Sequence, residues 1–227
     1  MGSGGSSFGW SSGADAKKLL QLSQDEEQKS AYAQAANSYL GNQLLDYNDR
    51  DTDSIRTHVE RLRAALDKEL DEPIELVYGG SISKHTYVNG LSDVDLLAIL
   101  KDPALASVSP DEVRSYFAKR ITDSLVGTEV EVGPLAVTVK FTDGQEIQIL
   151  PAVKTSTGVR ISSQDGTSWS GVIKPKEFSR KLVDVNQARS GRVVPTVKLF
   201  KAMNDKMPED AKLSGYHAES LACKGNR

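Results

Sequence analysis

Two aspartates one residue apart, in Ser92-Asp93-Val94-Asp95-Leu96, are the side chains of this chain best suited by type and spacing to do chemistry. On an extended strand, residues i and i+2 point to one face, about 7 Å apart along it, so the two carboxylates can share divalent cations. Upstream, Gly79-Gly80-Ser81 breaks a strand-like run. Such a turn offers backbone N–H groups and a hydroxyl to a phosphate, and the missing side chains let the anion come close. It is not a Walker loop, because no G-x-x-x-x-G-K-[ST] occurs. Each half alone is commonplace, one a plain turn and the other a solvated acidic pair. In this order and spacing, followed by the aliphatic run Val94 to Leu100, they form a specific signal.

The elements that must position these residues follow from periodicity. Ile74 to Tyr78 and Val94 to Leu100 read as strands on either side of the glycine turn. Ahead of them, Ala14 to about Tyr47 is a helix with an apolar stripe of Leu19, Leu20, Leu22, Tyr32, Ala35, Tyr39 and Leu44. A second helix starts near Asp53 and runs to Leu70, where Asp71-Glu72-Pro73 ends it. Ser109-Pro110-Asp111-Glu112 is a capping box that opens a helix through Phe117, Ile121 and Leu125. Strands are expected at about 128 to 132, 135 to 141 and 145 to 150, with another near 158 to 162. Helices follow over 175 to 189, 193 to 204 and after Ser214.

One register can be derived in advance. A three-residue loop Thr142-Asp143-Gly144, with glycine in the left-handed position, pairs Val139 with Ile147 and Val137 with Ile149 on one apolar face. A two-residue Asp-Gly loop would oppose Val139 to Gln148 and Phe141 to Glu146, mixing apolar with polar, so the longer loop is expected.

Composition sets the outer bounds. The 227 residues are 38% hydrophobic and 26% charged, which is enough apolar surface for a core and too much for a disordered chain. The single Cys223 excludes an intramolecular disulfide, and His58, His85 and His217 are too scattered for a zinc site with cysteine partners. No apolar run approaches the roughly 18 residues that cross a bilayer, so no membrane association and a cytoplasmic location are expected. Residues 171 to 227 hold 12 Lys/Arg against 6 Asp/Glu, while the whole chain is net −3. That local basic face suits a small polyphosphate held with cations, and bulk duplex nucleic acid binding is not expected.

The glycine turn, its spacing to Asp93 and Asp95 and the strand after them resemble the nucleotidyltransferase superfamily related to DNA polymerase beta. Ile149-Leu150-Pro151-Ala152, Val197-Lys198-Leu-Phe-Lys201-Ala-Met-Asn204 and Leu213-Ser214-Gly-Tyr216-His217-Ala-Glu219-Ser-Leu221-Ala222 narrow the resemblance. They look like bacterial cyclic-oligonucleotide synthases of the antiphage signalling type, which are similar to cyclic GMP-AMP synthase and oligoadenylate synthase. The resemblance implies an α+β fold, a polymerase beta-like nucleotidyltransferase core with a mixed β-sheet packed by helices. With the Gly/Ser-rich start read as a flexible N-terminal lead over 1–13, the remaining parts are a catalytic core with N-terminal helices over 14–170 and the start of a helical nucleotide-binding lobe over 171–227.

The activity so implied is Mg2+-dependent transfer of nucleoside monophosphate from NTPs, making a cyclic di- or oligonucleotide second messenger, with Mn2+ as an alternative ion. Asp93 and Asp95 would be catalytic and hold the metal. Gly80 and Ser81 would hold the triphosphate, Lys201 would bind phosphate, Ser214 would add a hydroxyl and Tyr216 would stack on a base. Lys198, one helical turn before Lys201, reaches the same anion or is a solvated lysine. The implied partners are NTP substrates, a regulatory protein and a nucleotide-activated effector.

Two departures stand out. A third metal-binding carboxylate of the family commonly lies three residues before the proline, where this chain has Gln148. Glu146, on the same strand face, would substitute, or would instead pair with Lys140 across the hairpin. The resemblance also breaks at Ala222, where synthases of this type generally continue, so the C-terminal helical lobe is expected to be truncated. Two other readings therefore stand beside synthesis of a cyclic product. One is nucleotide transfer to an RNA end, a protein or a small molecule, and the other is a non-catalytic nucleotide-binding or assembly module.

Overall fold

A computed structural model describes residues 12–68, 70, 72–101 and 103–224, so Phe8 and Trp10 of the expected lead, and Asp71, lie outside the described residues. The chain divides into two units, one up to Leu45 and the other from Asp46 onward. The described part of the first is helix α1 (Ser12–Asn48) as far as Leu45, and the helix includes Ser12 and Gly13 of the expected lead. Of its apolar stripe, Leu20, Tyr32 and Tyr39 are exposed.

The second unit holds a six-stranded mixed sheet built from β1 (Glu75–Tyr78), β2 (Val94–Leu100), β3 (Glu129–Val132), β4 (Val137–Lys140), β5 (Glu146–Lys154) and β6 (Val159–Ile161). The strand order is β1-β2-β5-β4-β3, with β6 paired to β5. Only β2 and β5 are parallel; the other pairs are antiparallel. Along β2, burial alternates with period two, Val94, Leu96, Ala98 and Leu100 being buried and Asp95, Leu97 and Ile99 half-buried. That alternation fixes which way Asp95 points.

The buried side of the sheet meets α2 (Thr52–Asp67) and α4 (Pro110–Ser124). Leu62 and Leu66 of α2, Val113, Phe117 and Ile121 of α4, Val137 and Val139 of β4, and Ile147 and Ile149 of β5 share one core with β2. Each such side chain contributes about 1.5 to 3 kcal/mol on burial. Both helices start on local signals. Asp51 accepts from the N–H groups of Asp53 and Ser54, and the Ser109 N–H donates to Glu112 Oε2 at 3.1 Å in the expected capping box. Helix α2 ends at Asp67 rather than Leu70, because the Asp67 carboxylate turns to accept the Ile74 N–H at 2.7 Å and leads the chain into β1.

The hairpin has the derived register, Val137 opposite Ile149 and Val139 opposite Ile147, around a loop whose Gly144 has φ +86°. Strand β5 runs on through Pro151 to Lys154, beyond the expected end at residue 150. A proline is tolerated there because, along that edge of β5, the pairing with β4 stops at Ile149 and the pairing with β6 starts at Ala152, so Pro151 falls in the gap between two partners. The short helix α3 (Pro103–Ser107) was not legible in the sequence. Helices α5 (Pro175–Ala188), α6 (Val193–Asp205) and α7 (Gly215–Lys224) complete the unit. Among the described residues, no helix is long and apolar enough to cross a membrane.

Candidate active site

The turn after β1 closes directly onto the β2 aspartate. Gly79 N–H donates to the Asp95 backbone oxygen at 2.8 Å, and the Ser81 N–H donates to the Asp95 carboxylate. Between them Gly80 has φ +46°, and a Cβ built there would sit 1.6 Å from Asp95 Oδ2. No side chain fits that position, so glycine is required both by backbone conformation and by the carboxylate lying against it. The Ser81 hydroxyl is buried and has no hydrogen-bond partner. A buried hydroxyl left unpaired is costly unless a ligand completes it. The chain then makes a 3-10 turn, Ile82–Lys84, and His85 takes a left-handed conformation with φ 59°.

Asp93, accessible at the start of β2, and the half-buried Asp95 share a face with Gln148, which is paired with Asp95 across the parallel β2–β5 register. Partial burial pushes the Asp93 carboxyl above its ordinary value. Burial and repulsion from Asp93 push Asp95 up, against the opposing pull of Lys84, the Ser81 N–H and Lys201. Two carboxylates that resist ionising side by side are stabilised by a shared cation. The Asp93–Asp95 pair, the unpaired Ser81 hydroxyl and the cradle over Gly80 fit a divalent cation with a phosphate beside it. Among the described residues, no group of three or more His, Cys, Asp or Glu side chains gathers to hold one. Gln148 directs its amide nitrogen at Asp93 Oδ2, 2.8 Å away. Glu146 and Lys140 are register partners, yet the Lys140 ammonium pairs with Glu131 at 2.9 Å instead of Glu146. Lys140 lies between β3 and β5, and the β3 glutamate takes it.

A buried ionic cluster joins this turn to the last helices. Glu219 of α7, 1% exposed, is met by the ammonium groups of Lys84 and of Lys201, the latter at 2.8 Å, and by the Thr86 hydroxyl. Burial opposes the charge on Glu219, but hydrogen bonds from Lys201, Lys84 and Thr86 outweigh it and hold the carboxyl below its ordinary range. Lys201 also donates to the Thr86 carbonyl at 3.1 Å. The expected phosphate lysine thus stands beside the site with its ammonium already engaged.

The other expected ligands lie at the start of α7. The Ser214 hydroxyl accepts from the His217 N–H at 3.3 Å and caps the helix. Tyr216 is exposed and lies against Phe178 of α5, ring centroids 5.3 Å apart, while Lys84 faces the other member of that pair, Phe178, at 5.4 Å. Lys198 does not join Lys201; its ammonium bonds to the Asn48 side chain. The roles of Lys84, Thr86 and Glu219 were missed in the sequence. A signal existed for Glu219: it shares the inward face of α7 with Ala218, Ala222 and Cys223, and a charge on an apolar stripe needs a buried partner.

No protein-family model matches the chain, and no curated protein matches it in sequence. Solved structures do match in fold. The STING-associated CdnE c-di-GMP synthase from Capnocytophaga granulosa superposes with a TM-score of 0.60 at 19% identity, over 74% of this chain and 57% of that one. The Rhodothermus marinus CdnE c-UMP-AMP synthase, solved with Apcpp and Upnpp, gives 0.57 at 21% identity, over 81% of this chain and 74% of that one. CdnC of E. coli MS115-1, in complex with HORMA-deltaN, gives 0.57 at 18% identity, over 76% and 57%. The fold is therefore the nucleotidyltransferase fold of the cyclic dinucleotide synthases, and this chain spans 57 to 74% of their lengths.

Proposed function

We propose that this chain is a Mg2+-dependent nucleotidyltransferase core that joins NTPs into a cyclic di- or oligonucleotide second messenger in antiphage defence, with Mn2+ as an alternative ion. The observation that carries the reading is the closure of the Gly80-Ser81 turn on Asp95, beside Asp93, with the Ser81 hydroxyl unpaired. Asp93 and Asp95 would hold the metal. When bound, Mg2+ lowers the pKa of the attacking hydroxyl and neutralises charge on the leaving pyrophosphate.

The reaction forms a bond from a ribose hydroxyl oxygen to the α-phosphorus. It breaks the bond from that phosphorus to the bridging oxygen, releasing pyrophosphate, and the hydroxyl proton is lost. In this chain Ser81 would donate its hydroxyl to the triphosphate, and Gly80 would let the phosphates approach its backbone. Lys84 and Lys201, gathered by Glu219, would supply positive charge behind the turn. Residues 171–227 would form the nucleotide-binding lobe, with Tyr216 stacking on a base and Ser214 offering its hydroxyl at the start of α7. A regulatory protein and a nucleotide-activated effector would be its partners; CdnC of E. coli MS115-1 is seen in complex with another protein, HORMA-deltaN.

A second reading, nucleotide binding without turnover, is favoured by one observation. The Gln148 amide holds the Asp93 oxygen that a cation would take, and no third carboxylate stands in its place. Incubation with labelled ATP, GTP, CTP and UTP in Mg2+ or Mn2+ separates the readings. Cyclic products that vanish in Asp93→Asn/Asp95→Asn support synthesis. Label transferred to RNA or protein identifies another acceptor, and retained NTP binding without any product supports the second reading.

A further inference from the structure

Strand β3 ends the sheet: it pairs with β4 on one side, and among the described residues no strand or bridge lies on its other side. An unpaired edge leaves about half of its backbone N–H and C=O groups pointing outward, where they can continue the ladder. The two faces of this strand differ in chemistry. Val130 and Val132 sit opposite the buried Val139 and Val137 of β4, on the core side, while Glu129 and Glu131 sit opposite Lys140 and Thr138 on the other. One ammonium there, that of Lys140, stands among the carboxylates of Glu129, Glu131 and Glu146 and pairs with Glu131. Among the described residues, Glu129 and Glu146 make no ion pair, so this face stays acidic. Large apolar side chains stand in solvent at both ends of the strand, Val126 at 94% exposure before it and Val132 at 53% with Leu135 at 39% at its far end.

We propose that the β3 edge takes up an extended segment of another protein, one in which basic residues alternate with β-branched apolar residues, as an added strand of the sheet. The alternation follows from the pleat. One face of the added strand meets Glu129 and Glu131, and its other face continues the apolar side beyond Val130 and Val132. Opposite charges directly across a strand pair stabilise it, and like charges there destabilise it. The same rule disfavours a second copy of this chain as the occupant. Directly opposed residues of an antiparallel pair share a face, so the registers in which β3 overlaps another β3 most set glutamate opposite glutamate. Strands lie about 4.8 Å apart, and β5, β4 and β3 separate β2 from the added strand, which would therefore run about 19 Å from the strand of Asp95. The surface is distinct from the candidate active site.

The test titrates the full chain, at low salt, with an end-capped peptide that alternates lysine with valine, and follows binding by fluorescence anisotropy and by amide hydrogen exchange. The peptide binds, and the amides of Glu129 to Val132 gain protection. A peptide of the same composition with its lysines and valines in separate blocks, and one with an N-methylated backbone that cannot donate to the ladder, each bind at least about tenfold more weakly. The Glu129→Lys/Glu131→Lys double variant loses the lysine peptide by about tenfold and takes up an alternating glutamate and valine peptide that the wild type rejects. Misfolding cannot produce that exchange of preference. The proposal is overturned if the N-methylated or the block peptide binds as tightly as the alternating one, which would leave charge as the whole attraction. It is equally overturned if the double variant binds the lysine peptide like the wild type, or if the wild type binds none of it in the millimolar range. Protection of residues 129 to 132 that appears on concentrating the protein alone would identify a second copy as the occupant and also overturn it. None of these outcomes depends on whether the chain turns over NTPs.

Discussion

Gln148 and Asp93 are joined by a 2.8 Å hydrogen bond from the glutamine amide to Oδ2, across the parallel pairing of β2 and β5. The bond neutralises nothing; it orients Asp93 and occupies the place of a third carboxylate. Gln148→Asp would put a charge opposite Asp95 on the same face. Without metal, three carboxylates repel, and the variant is expected to lose about 1 kcal/mol of stability. With Mn2+ or Mg2+ the order reverses, and ion affinity should rise about tenfold. Calorimetric titration of both proteins checks this. Equal ion affinities would place the metal away from Gln148.

Gly80 and Gly90 make a matched pair of tests. Both have positive φ, +46° and +77°, so alanine strains either backbone by about 1 to 2 kcal/mol. At Gly90 a Cβ meets nothing within 4 Å, whereas at Gly80 it meets Asp95 Oδ2 at 1.6 Å. Gly90→Ala should lose stability alone. Gly80→Ala should lose more, about 2 to 4 kcal/mol, and should also lose ion binding, because Asp95 must swing away. Ion binding that survives Gly80→Ala would disconnect Asp95 from the metal.

Much of this arrangement is legible in the sequence because it is local. The hairpin register follows from which side chains share a face, and the capping box at Ser109 names its own helix. Asp93, Asp95, Gly80 and Ser81 come together because one strand and one turn carry them. What escaped is what long-range contacts decide. Lys140 has acidic residues on both neighbouring strands, and only the sheet shows that Glu131 takes it. Glu219 and Lys84 are far apart in sequence, so a motif shows each residue and neither partner. Helix α3, five residues long, carries too little periodicity to read.

Asp143, at the hairpin tip, accepts from His58 Nε2 at 2.7 Å and from the Ser54 hydroxyl at 2.9 Å, tying the β4–β5 loop to α2. The hydrogen bond from His58, with one from the Gln145 N–H, holds the Asp143 carboxyl down at about 2. A carboxyl depressed on folding stabilises above its unfolded pKa of about 3.9, and that contribution fades as pH falls towards the folded value. Asp143→Asn should therefore be less stable than the wild type near neutrality, with the gap closing between about pH 4 and pH 2. The Asp143 side chain is 44% exposed, so the gap stays under about 1 kcal/mol. Urea unfolding across that range measures it. A gap that widens on acidification would mean that the tie forms through the protonated carboxyl.

Glu219 makes the strongest stability prediction, because it compensates two cations at once. Lys84 and Lys201 are each only 12% exposed beside it. Glu219→Ala leaves both charges buried without a partner, and the expected loss is about 3 to 5 kcal/mol. Glu219→Gln keeps the shape and can keep the Thr86 hydrogen bond while removing the charge, so it should fall between the alanine variant and the wild type. Adding Lys201→Met to Glu219→Gln removes one stranded cation. The double variant should recover part of the loss, with a coupling of about 0.5 to 3 kcal/mol. Guanidinium unfolding of the wild type, Glu219→Gln, Lys201→Met and the double variant gives the cycle. Strict additivity would mean that Lys201 and Glu219 are neighbours without being energetic partners, and α7 would then be tied to the glycine-turn segment through the contacts of Glu219 with Lys84 and Thr86.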